Sequence, residues 1–188
     1  HHPDASHLLA SLRSARYAVP FLAIRNSEFA HYLDEYDFDV DVRWGKHGEL
    51  SCLIEACDRN DLETMAFALQ RGADPQHAAH SGATPLSAAV SMRQTAIVSA
   101  LLDAGADLEH RLPGGVTVLM LACALGMPDI AARLLTAGAD IDAGDSQGLA
   151  PLHCAALYGF TGRDRTRLLA LFDTLLLAGA EADMSAAG

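Results

Sequence analysis

An all-α solenoid of stacked helix–turn–helix units with extended loops is the fold class this sequence predicts, on three observations. Ser51, Thr84, Thr117 and Ala150 are spaced by 33 residues, and each opens a matching block: SCLIEAC, TPLSAAV, TVLMLAC and APLHCAA. Gly72, Gly105 and Gly138 keep the same period, each 21 residues after its block begins. After each block comes a run such as DIAARLLTA (Asp129 to Ala137), whose Ile130, Ala131, Leu134 and Leu135 fall on one helical face. Two landmarks that hold one period indicate a repeat array rather than a single irregular domain.

Each unit can be justified letter by letter. Ser or Thr ahead of an apolar run is a helix N-cap, whose side-chain oxygen accepts a free backbone N–H. Pro85 and Pro151 follow at the first helical position, where no N–H partner is lost. The block is then a short Ala-rich helix, ended by a polar or glycine break at Asn60, Arg93, Gly126 and Gly159. A second helix follows and stops at a glycine suited to the left-handed conformation. About ten loop residues lead to the next cap. One such unit cannot bury its own apolar stripe, so the units must stack.

On these residues the chain resembles the ankyrin-repeat family, whose pattern is G-x-T-P-L-H-x-A-A, a glycine, and a second helix ending L-L-x-x-G-A-D. GLAPLHCAALYG (Gly148 to Gly159) and GATPLSAAV with LLDAGAD carry the match. Four units are expected, at about 46–78, 79–111, 112–144 and 145–183, within a repeat region over 45–188. Ser6 to Trp44 is read as a degenerate N-terminal capping repeat (6–44), and residues 1–5 as a tag remnant or disordered start. The family's TPLH histidine is kept only at His153, with Ile54, Ser87 and Met120 in its place elsewhere. The resemblance assigns that histidine to tying neighbouring loops, so a weaker loop network is expected here. The insertion TGRDRTRL (Thr161 to Leu168) delays Gly179 by eight residues and enlarges the fourth unit. Its second helix, LLALFDTLLLAG, is very apolar for a terminal cap; either further repeats follow or that face meets a partner.

Composition narrows function. A formal charge of −11 opposes general nucleic-acid binding, which needs a surplus of Lys and Arg to neutralise phosphates. The same charge keeps the chain off anionic lipid, and no apolar run reaches the roughly 18 residues of a membrane span. Lys46 is the only lysine, which suggests a GC-rich, bacterial gene. Cys52, Cys57, Cys123 and Cys154 form no CxxC pair and are assigned to the core, consistent with a reducing, cytoplasmic setting. The acidic run from Asp34 to Asp41 lacks the spacing of a calcium loop and is read as a solvated rim.

No nucleophile elbow, phosphate-binding glycine loop or HExxH motif is present, so no enzyme is expected and no catalytic residue or cofactor is assigned. His77, His80 and His110 are the nearest metal candidates. Matching loop positions about 8–10 Å apart suit exposed loop histidines better than ligands on one ion. No metal site is assigned.

What the scaffold leaves free is a surface. The resemblance implies contacts at the loop tip before each cap and along the exposed side of each first helix. In register, these positions are polar at the first unit, with His47, Leu50, Asp58 and Arg59, and at His80 in the second. From Met92 onward they turn apolar: Val116, Leu125, Leu149, Leu157 and Tyr158. Arg163, Arg165 and Arg167 of the insertion lie beside them and suit carboxylates on a partner. The expected function is a monomeric, non-enzymatic module that binds a partner protein through this concave face. The alternatives are a bacterial immunity or inhibitor protein that blocks a toxin or enzyme through the same face, or the interaction domain of a larger secreted effector.

Overall fold

The computed structural model describes residues 51–162 and 164–179. The N-terminal capping repeat, the first five residues, His47, Leu50 and Arg163 lie outside them. Among the described residues eight α-helices follow one another in pairs. They are α1 Cys52–Asp58 and α2 Leu62–Gln70, then α3 Pro85–Ser91 and α4 Thr95–Asp103. The next pairs are α5 Val118–Ala124 with α6 Pro128–Thr136, and α7 Pro151–Thr161 with α8 Arg165–Leu177. Among the described residues there is no β-strand, only an isolated bridge between Leu112 and Val116. First helices pack side by side in one layer and second helices in another. The array is an all-α repeat solenoid.

Capping follows the period. The amide of the third helical residue donates to Ser51 Oγ at 3.4 Å, Thr84 Oγ1 at 3.1 Å and Thr117 Oγ1 at 3.3 Å. Ala150 has no oxygen to offer; there the His153 ring accepts the Ala150 N–H at 3.0 Å. A cap hydroxyl contributes about 1 kcal/mol. Ala150→Thr is therefore expected to raise unfolding free energy by about 1 kcal/mol in urea titration, through the capping oxygen the other units already have.

Small residues set the spacing of the first helices. Ala56, Ala89, Ala122 and Ala155 occur one per unit at the same position, all fully buried. Between the second helices the equivalent residues Met65, Val98 and Ala131 are fully buried, whereas Phe172 in α8 is only half-buried. Leu169, Leu176 and Leu177 of α8 are exposed. The predicted stripe of α6 is as expected on its inner side: Ile130, Ala131 and Leu134 are buried and Leu135 is half-buried.

The fourth unit differs from the sequence expectation at Gly159. That glycine does not end the first helix; α7 runs through it to Thr161. The first helices of the other units have 7 residues and α7 has 11. Their second helices have 9 and α8 has 13. The eight extra residues are thus one added turn on each helix, and the connecting turn keeps the same length. This hairpin projects roughly 6 Å beyond its neighbours at 1.5 Å per residue. The break is lost because Leu168 from α8 covers Gly159, packing the added turns against each other.

The loops are joined by groups other than the family histidine, since His153 Nδ1 accepts within its own unit and its buried Nε2 has no hydrogen-bond partner among the described residues. Each hairpin closes by an N–H to C=O bond: Ala79 to Ala83 at 2.7 Å, Leu112 to Val116 at 2.9 Å and Asp145 to Leu149 at 3.0 Å. Ser146 N–H donates to Gly114 O at 2.9 Å, and Arg111 Nη1 donates to Gly144 O at 2.8 Å, so adjacent loops are bound together. Gln76 and Glu109, one period apart, accept the backbone N–H of Asp107 and Asp140 in the following unit. The weaker network expected from the lost histidines is therefore corrected: other polar side chains have taken over the linking.

Candidate functional site

The exposed side of the first helices forms the candidate site. Three positions per unit share one helical face, at i, i+3 and i+4 from the fifth residue of each block. In the second, third and fourth units they are Ala88, Ser91 and Met92; Leu121, Ala124 and Leu125; and Cys154, Leu157 and Tyr158. All nine are uncharged, and all are half-buried or exposed. In the first unit the same positions are Glu55, Asp58 and Arg59, all charged. The surface therefore runs from charged positions at α1 to an uncharged, mainly apolar face over α3, α5 and α7.

The expected site residues are distributed as follows. Met92 and Leu157 are 45% and 53% exposed, and both stand on the first-helix face. Val116 and Leu149 are half-buried on the hairpins at the N-terminal edge of α5 and α7. Leu125 is half-buried because it packs on the core. Tyr158 is also half-buried, its ring lying over Gly126 of the third unit and Gly162 of the turn. It braces two units while its remaining edge completes the face. Arg59 is exposed and paired with Glu55 at 3.0 Å, His80 is exposed at a hairpin, and Arg165 is exposed at the start of α8. Arg167 is exposed and pairs with Asp164 at 3.3 Å.

Three residues missed in the sequence belong to the face: Ala88, Leu121 and Cys154, all half-buried. The signal was available, since Cys154 lies three and four residues before Leu157 and Tyr158. Its assignment to the core is corrected. Cys52, Cys57 and Cys123 are buried, but the position of Cys154 is one that Leu121 and Ala88 also leave half-open. Burial pushes the Cys57 thiol up to about 12 and raises that of Cys123 further still. Under native conditions a thiol-disulfide reagent is expected to label Cys154 ahead of the other three, and Cys154→Ser to remove that fast phase.

The loop histidines have other roles. His110, expected as an exposed loop residue, is half-buried, with Nε2 2.9 Å from Gly82 O of the preceding hairpin. Among the described residues no three His, Cys, Asp or Glu side chains cluster as metal ligands would.

A second depression lies on the opposite layer between α4 and α6, lined by Thr95, Ser99, Asp103, Asp129, Arg133 and Thr136 among others. Arg133 Nη1 crosses it to Ser99 Oγ at 2.6 Å. Leu102, Ala132 and Ala137 also line this cleft, which is of mixed character and already bridged.

The repeated helical pairs, hairpin loops and cap positions agree with known families. The family described as Ankyrin repeats (3 copies) matches residues 17–111, and a single Ankyrin repeat matches residues 114–146. The chain belongs to the ankyrin-repeat family. The first match begins upstream of the described residues and takes in α1 to α4; the second takes in α5 and α6. A search of curated proteins finds no match. Ankyrin repeats are generally protein–protein interaction modules and typically non-enzymatic. No helix among the described residues is long and apolar enough to cross a membrane.

Proposed function

We propose that this ankyrin-repeat chain is a non-enzymatic binding module that holds a partner protein on the face formed by its first helices and hairpins. The observation that carries this reading is the run of nine uncharged positions across α3, α5 and α7. On a chain of net charge −11, so long a stretch of surface without a charge is unexpected for a face that meets only water. Met92 and Leu157 supply the exposed apolar anchors, Leu121 and Tyr158 the floor, and Val116 and Leu149 one rim. Apolar anchors ringed by polar residues are the usual anatomy of a protein interface.

The test compares capture of a partner by wild type, by Met92→Asp with Leu157→Asp, and by Ser99→Asp on the opposite layer. Both substituted anchors are exposed, so folding is expected to survive and can be checked by circular dichroism. Loss of tenfold or more in affinity is expected for the first-helix pair, and none for Ser99→Asp. Binding by the Met92/Leu157 pair at wild-type strength would place the site elsewhere.

A further inference from the structure

The outer side of the fourth unit has the character of a stacking surface. In the first three units Cys57, Val90 and Cys123 are fully buried where the fourth has half-buried Ala156. Met65, Val98 and Ala131 are likewise buried where the fourth has half-buried Phe172. Leu69, Leu102 and Leu135 are half-buried against the core, but Leu176 at their position is 53% exposed. These positions close wherever another unit follows, and among the described residues they stand open only on α7 and α8.

We propose that a second copy of this chain covers this side, its α8 lying antiparallel to the first across a twofold axis. This surface is distinct from the first-helix face. Ala156 stands on a different side of α7 from Cys154, Leu157 and Tyr158, so the pairing leaves those residues open.

The stripe that α8 presents is self-complementary. Arg165, Leu169, Phe172 and Leu176 recur at i, i+4, i+7 and i+11 and so share one helical face. Turned end for end, the same stripe sets Leu169 of one copy opposite Leu176 of the other, with the two Phe172 rings beside the axis. Asp173 stands at the edge of the stripe rather than in the seam. Arg165 opens α8, whose first turn holds no acidic residue, at the end where the helix's own dipole disfavours a cation. Antiparallel pairing carries it to the C-terminal end of the other α8, where the partial charge is negative. The same charge match is made at both ends of the seam.

The area sets the strength. α7 and α8 have 11 and 13 residues, which is about 16 and 20 Å of helix. Side by side at about 8–10 Å they offer an end face roughly 20 Å square, so pairing buries on the order of 1,000 Å² in all. That is the low end for a specific interface, and the net charge of −11 on each copy opposes approach. The dimer is therefore weak, half-associated at roughly 10–100 µM.

Sedimentation equilibrium of the chain across that range tests the surface, beside Leu169→Asp with Leu176→Asp and a control, Leu62→Asp on α2. All three leucines are exposed, so the variants are expected to fold, which circular dichroism checks. Wild type and Leu62→Asp should reach a dimer and stop there. The α8 pair should stay monomeric, its association weakened by about tenfold or more. A wild type that remains monomeric, or an α8 pair that associates as well as wild type, would overturn the surface. Growth beyond two copies would mean open head-to-tail stacking and would overturn the twofold arrangement. Mixed Leu169→Cys and Leu176→Cys chains, each also carrying Cys154→Ser, read the register. Mild oxidation is expected to join the two kinds of chain. It should not join two Leu169→Cys chains, whose thiols would lie about 10 Å apart along the seam. Covalent dimers of Leu169→Cys alone would contradict the antiparallel register.

Discussion

Gly126→Ala is expected to lower the unfolding free energy by about 3 kcal/mol or more, from two separate causes. Gly126 has φ +65°, a left-handed conformation that costs a residue with a Cβ about 1–2 kcal/mol. A Cβ there would also lie closer than 3.0 Å to three ring carbons of Tyr158, so the ring must shift. Displacing it removes the contact that ties the projecting turn of the fourth unit to the third. Urea titration of Gly126→Ala, Tyr158→Ala and the double variant separates the two causes. With the ring already absent, Gly126→Ala should cost only the backbone part, about 1–2 kcal/mol. An equal cost in both backgrounds would mean that the ring does not lie over the glycine.

Leu134→Ala carries a comparable penalty, about 3 kcal/mol within the usual range for a buried leucine. Leu134 is 0% exposed, and Leu101 and Leu175 at the same position are equally buried. It lies in the middle of a stack, so the cavity would open against neighbouring helices on both sides and weaken nearest-neighbour coupling. The adjacent Leu135, half-buried, should cost roughly 1 kcal/mol on the same substitution, since truncation there removes less buried area. Urea unfolding of the two variants checks the ranking. A Leu134→Ala protein as stable as Leu135→Ala would contradict the assigned stacking face.

The repeat was readable because stacking imposes the same demands on every unit. A cap oxygen at Ser51, Thr84 and Thr117, an alanine five residues later and a glycine after the second helix recur because each unit meets the same neighbour. The fourth unit was harder to read because its neighbour differs. Gly159 stands at a break position, yet it is covered by Leu168, a residue that exists only through the insertion. No local signal distinguishes a glycine that ends a helix from one that lets a second helix approach.

The same limit applied to the face. Met92 and Leu157 were legible as exposed apolar positions from register alone. The bracing role of Tyr158 depended on Gly126, thirty-two residues earlier, and on the added helical turn that carries the ring there. Leu121 and Cys154 look like core letters, because Leu and Cys are ordinarily buried. Only the register of their helices shows that they sit at the edge of the core rather than inside it. Arg93 shows a further departure: it adopts φ +61° in place of the glycine found at Gly126, and its guanidinium donates to Leu125 O at 3.0 Å. That bond to the end of α5 helps offset the strained backbone.

Hydroxyl-radical footprinting with and without a bound partner tests the binding face most directly. Leu62, Leu176 and Leu177 are exposed apolar residues elsewhere on the protein and serve as internal controls. Partner binding is predicted to suppress oxidation at Met92, Cys154, Leu157 and Tyr158 while Leu62, Leu176 and Leu177 react as before. Protection of Leu176 and Leu177 with unchanged reactivity at Met92 and Leu157 would show that the partner sits on the last helix instead.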